Sequence, residues 1–184
     1  MWQRRFFSGC LLFVFSLNFW ACDSSLTIKE QDRFFDLKGF FEAEASRLSG
    51  LGKVRKTTKI DGLEETKDLA IDIAAELKIF AGSDINRVAW LDSYQVDSLR
   101  GEDNSLRKLS YLALEEDLRT QHLQIYFSKN AVDSITILNK TSTAIADSQQ
   151  RIRYVPQVGY AIQSEQDISF ASKHALEVQV AFLD

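Results

Sequence analysis

Cysteine is almost absent from this chain of 184 residues: Cys10 and Cys22 are the only two, both near the N-terminus. Beyond Cys22 this excludes an internal disulfide, a thiol nucleophile and a thiolate metal site. Histidine is as scarce, with only His122 and His174, and nothing in their flanks has metal-ligand spacing. A single proline and eight glycines exclude a low-complexity chain, and no internal repeat is visible. Missing too are G-x-S-x-G, H-E-x-x-H, a Walker-type glycine loop and calcium-loop spacing. Positive charge is also short. The formal balance is −4, and losing Arg4 and Arg5 with residues 1–21 takes it to −6. An acidic domain argues against nucleic acid as a partner and against charge-driven docking on anionic lipid.

What the chain does have is a distinctive start. Arg4 and Arg5 are followed by no charged residue until Asp23, and Phe6 to Trp20 is rich in Phe, Leu and Val. Charge and hydropathy together read as an export signal. A cysteine ends that segment, and Asp23-Ser24-Ser25 follows. This resembles the lipobox of bacterial lipoproteins. The resemblance implies that Cys22 is lipidated and becomes the mature N-terminus, holding the domain to a membrane of a bacterial cell envelope, outside the cytoplasm. Two other readings stay open. Cleavage after Ala21 leaves a plain secreted protein, although the bulky Phe19 disfavours it. The uncharged run from Phe6 to Cys22 also lies at the lower edge of spanning length, as an uncleaved anchor. Asp23 after the cysteine is a retention signal in some bacteria and not in others, so the membrane itself stays undetermined.

The remainder divides into a tether, residues 22–26, and one domain, residues 27–184. Thr27-Ile28-Lys29-Glu30 reads as a capping box. A helix is expected from about 28 to 48, with Phe34, Leu37, Phe41, Ala45 and Leu48 on one stripe. Lys53 to Ile60 alternates as a strand, and its lysines suit an exposed edge. Asp61-Gly62 then reads as the start of a second helix running to Phe80 or Ala81. Its second stripe, Ile71, Ala75 and Ile79, offers a face to an envelope partner. Residues 98–105 read as a loop. Period-two alternation follows to the end, clearest at Leu176, Val178, Val180 and Phe182. The expected class is α+β: two N-terminal helices packed on one face of an antiparallel meander of five to six strands. In layout this is similar to uncharacterised envelope lipoproteins.

No residue stands out as catalytic or metal-binding, and no cofactor is implied. The densest carboxylates are Glu115-Glu116-Asp117 and the set Glu64, Glu65, Asp68 and Asp72, which suit a solvated face better than acid–base chemistry. The leading expectation is a membrane-tethered binding or structural protein with no enzymatic activity. The alternatives are a carrier of an apolar ligand between sheet and helices, or a carboxylate-dependent envelope hydrolase. The hydrolase requires two or more of Glu65, Asp68, Glu115 and Asp117 to meet in one pocket.

Overall fold

A computed structural model describes residues 33–169 and 173–183. The expected signal, the tether and the capping box at Thr27–Glu30 lie outside them. Helix α1 (Leu37–Arg47) starts later than the periodicity predicts, at Asp36, whose carboxylate accepts the Gly39 N–H at 2.7 Å. The residues before it are held by tertiary bonds instead. Phe34 N–H donates to Asn86 Oδ1 and Phe35 N–H to the Tyr111 hydroxyl, both at 3.1 Å. The expected stripe does face inward, with Phe34, Leu37, Phe41 and Leu48 buried.

The next segment corrects the sequence reading most. Strand β1 (Lys53–Ile60) turns directly into β2 (Leu63–Leu69), and helix α2 (Ile73–Ala81) begins only after that. Asp61 and Gly62 both have positive φ, 49° and 93°, so Asp-Gly is the turn of a two-residue hairpin and not a helix start. Nor is β1 an edge. It lies between β2 and β9, and β2 takes the edge.

Seven strands follow: β3 (Tyr94–Arg100), β4 (Leu106–Ala113), β5 (Thr120–Ser128), β6 (Ala131–Ser142), β7 (Ala146–Val155), β8 (Gly159–Ile168) and β9 (His174–Leu183). All nine form one antiparallel sheet in the order β2-β1-β9-β8-β7-β6-β5-β4-β3. Five to six strands after two helices is therefore wrong in number and in order, since α2 follows two strands. The expected loop at 98–105 shrinks to 101–105, because β3 continues through Arg100. The sequence reading falls short at the two edges: β2 is missed, and β3 runs three residues into the expected loop. β2 and β3 expose nearly every residue, so apolar alternation had nothing to mark there. The Lys129-Asn130 turn has positive φ at both residues, as a two-residue hairpin requires.

Both helices lie against the same sheet face. Ring centroids 5.0 to 5.8 Å apart link Phe80 of α2 to Phe41 of α1 and to Tyr154 and Tyr160 of β7 and β8. Tyr154 and Tyr160 are register partners, and each hydroxyl reaches one helix. Tyr154 O–H donates to Glu44 Oε2 of α1, and Tyr160 O–H to Glu76 Oε2 of α2, each at 2.5 Å. Arg47 forks onto Glu44 at 2.8 and 2.7 Å, and Lys56 Nζ lies 3.2 Å from Glu76. Burial pushes the Glu44 carboxyl up, yet its bonds to Arg47 and Tyr154 hold it below its usual value.

The β7–β8 hairpin brings a close approach at Gly159, which has φ 145° and faces Ala181. A Cβ there would lie 1.9 Å from the Val180 carbonyl oxygen. Gly159→Ala is therefore expected to destabilise the domain by about 2 kcal/mol or more, read as a lower urea midpoint.

Candidate functional site

All turns at one end of the sheet belong to a common rim. There lie the β1–β2 turn, the β4–β5 and β6–β7 connections and the approach to β3. Toward this rim the helix-facing side of the sheet changes from apolar to polar. The cross-strand row Ile137, Ile152, Ile162 gives way to Asn139, Gln150, Ser164, and then to Thr141, Ser148, Gln166, His174. Behind the rim sits a buried polar cluster. Asn139 Nδ2 donates to Ser83 Oγ at 2.9 Å, and Thr120 Oγ1 to the Ser83 carbonyl at 3.2 Å. Among the described residues Asn139 Oδ1 is a buried acceptor with no partner.

An open cavity of about 760 Å³ occupies the rim. Its walls include Asp61, Lys140, Asp167, Lys173 and His174, with Gln and Ser side chains between them; among the described residues Ala175 is the one apolar lining residue. A smaller space of about 110 Å³, lined by Asn139 and Gln150, shares Lys140, Thr141 and Ser148 with the larger one. Asp61 clasps the rim across strands, accepting the Ala175 N–H at 2.9 Å and facing His174 Nδ1 at 3.1 Å. The backbone N–H first, and then His174, hold the Asp61 carboxyl below its usual value. Lys173 pairs with Asp167 at 2.9 Å, which raises the lysine.

His174 is exposed at the start of β9, and its bond to Asp61 is not visible in the sequence. An Asp beside Nδ1 is the orienting half of a nucleophile–base pair. No Ser, Thr or Cys oxygen or sulfur bonds to His174 Nε2 among the described residues. His122 lies elsewhere, on the opposite sheet face, with Nε2 2.9 Å from Ser110 Oγ. Burial, and then Lys108, push its imidazole down.

The carboxylates named from sequence do not meet. Asp68 is forked by Arg55 at 2.8 and 2.9 Å, and Glu65 pairs with Lys67 at 2.7 Å, both on the outermost strands of one edge. Glu64 is exposed on β2, and Asp72 caps α2 through the Ala75 N–H. Glu115, just past the end of β4 near the opposite edge of the sheet from β2, accepts the Ser93 hydroxyl at 2.8 Å. Asp117 is exposed in the same loop; only Glu116 of that run lines the rim cavity. The expected pocket of Glu65, Asp68, Glu115 and Asp117 is therefore not formed. Among the described residues no group of three or more His, Cys, Asp or Glu is placed to hold a metal ion.

The apolar face expected on the second helix is also differently disposed. Ile71 precedes α2, and Ile71 and Ile79 pack against the core; Ala75 is exposed. The space between helices and sheet, where an apolar ligand was expected to sit, holds the aromatic cluster. Cys22 lies outside the described residues. No helix among the described residues is long and apolar enough to cross a membrane.

No family model and no curated protein matches the chain. Among solved structures it is similar to the S-type phycobiliprotein lyase CPES from Guillardia theta, at 14% identity and a TM-score of 0.32. The alignment covers 83% of this chain and 94% of that one, and a likeness at this TM-score carries no argument about activity.

Proposed function

We propose that the protein is a lipid-tethered binding protein of a bacterial envelope, anchored at Cys22, that takes a polar ligand at the rim of its sheet. The rim cavity carries this reading. It is large enough for a small ligand, and among the described residues it offers donors and acceptors of both signs with no nucleophile held against a base. Binding by contact is what such a wall supports.

The tether is tested by replacing Cys22. Cys22→Ser is expected to release the domain from membranes or to block processing of the precursor, read by fractionation and immunoblotting. A membrane-bound, shortened product from Cys22→Ser would sink the lipid reading.

A further inference from the structure

We propose that the rim is a membrane-docking surface, seated on the lipid leaflet that carries Cys22. The proposal rests on the lipid reading of Cys22. Its first support is the place where the chain enters the fold. Arg33 pairs with Asp92 at 2.8 Å, and Phe34 stacks edge-on against Tyr94, the first residue of β3. Both contacts are at the rim end, so the described chain begins at that end.

Length decides which end faces the bilayer. Ten residues lie between Cys22 and Arg33, a reach of at most about 40 Å. Strands of ten to twelve residues are about 33–40 Å tall. The rim lies within easy reach of the leaflet. The opposite end touches it only if the whole tether runs back along the domain.

The second support is what the turns carry. Large aliphatic side chains stand out at the rim: Leu63 is 82% exposed, Val88 83%, Leu114 61% and Ile145 61%, with Ile60 beside Leu63. They come from four separate connections, so no single amphipathic element accounts for them. Turns at the far end hold Gly101 to Ser105 and Lys129-Asn130, and the large exposed aliphatics there among the described residues are Val158 and, one residue before the end of β3, Leu99. Isolated exposed aliphatics are ordinary, but a ring of them at the tethered end is not. Arg87 lies 4.2 Å over the Trp90 ring beside Val88, an amphipathic pair suited to headgroup depth. The rim carboxylates Asp61, Glu116, Asp147, Glu165 and Asp167 oppose an anionic surface, so insertion is by aliphatic burial into zwitterionic lipid. Docked this way, the mouth of the polar cavity lies in the headgroup layer.

The test uses the full-length, processed protein reconstituted into phosphatidylcholine vesicles. Leu114→Cys, Ile145→Cys and Val158→Cys are each labelled with an environment-sensitive thiol dye, with nitroxide carried on the lipid tails. Rim probes buried about 5–10 Å into the interface should shift to the blue and be quenched at least about twofold, with the Val158→Cys probe unchanged. Equal behaviour of all three, or no quenching at 114 and 145, overturns the proposal. The unsubstituted protein reports the tether separately. A lipidated Cys22 takes no dye, and a reactive Cys22 with quenched rim probes keeps the docking surface while losing the tether.

Discussion

Phe80→Ala is expected to remove about 3–5 kcal/mol of stability, a large part of the roughly 5–15 kcal/mol that holds a domain of this size together. Phe80 is fully buried and is the one ring that touches both helix-docking tyrosines as well as Phe41 of α1. Truncation leaves a void bounded by three rings that belong to three different elements. Those elements cannot close on it together, because Tyr154 and Tyr160 are fixed at their hydroxyl ends by Glu44 and Glu76. The transition should stay cooperative, with an unchanged urea slope and a midpoint temperature lowered by about 10 °C. A half-buried ring serves as the comparison. Phe127 meets Phe35 at 6.4 Å at the margin of the core, and Phe127→Ala should move the midpoint much less. Similar losses for the two would mean that the aromatic cluster does not couple the helices to the sheet.

The sequence exposed the central fold where burial is one-sided. Leu123 and Ile125, Ile135 and Ile137, and Ile152 and Tyr154 alternate because one sheet face is covered, and they are buried as the pattern requires. The edges were illegible for the same physical reason. LEETKDL pairs through its backbone and points almost nothing into the core, so its composition favours helix as readily as strand. The signal that does identify it is chemical: Asp61-Gly62 between two extended runs is a hairpin turn. Of the rim, the sequence showed His174 and the carboxylates as separate residues. That Asp61 faces His174 follows from β1 pairing with β9, a contact between the first and last strands that local pattern does not encode. The exposed aliphatics Leu114 and Ile145 were equally hidden, since only topology shows that their turns share one end.

Raising the pH above 10 is expected to unfold the domain, with tyrosine ionisation and loss of structure occurring together. Four tyrosines, Tyr94, Tyr111, Tyr154 and Tyr160, are buried. Burial is the main cause raising each phenol; Tyr94 is pushed up to about 12. Tyr154 and Tyr160 are held higher still, because a phenolate there would confront the Glu44 or Glu76 carboxylate that now accepts its proton. In the unfolded chain these phenols titrate near the ordinary value of about 10. Above that value the unfolded state sheds protons that the folded state keeps, so stability falls as pH rises. It is fully present below about pH 10. Between its unfolded and folded values each phenol steepens the fall by about 1.4 kcal/mol per pH unit, and Tyr94, Tyr154 and Tyr160 together by about 4. Against a total of about 5–15 kcal/mol, two pH units offset the lower half of that range. Tyrosinate absorbance and circular dichroism should therefore change at one midpoint, and a Tyr154→Phe chain should show a shallower pH slope. Phenolate absorbance that grows smoothly while the sheet signal persists would mean the hydroxyls are open to solvent, and the two Tyr–Glu contacts would then not join helix to sheet.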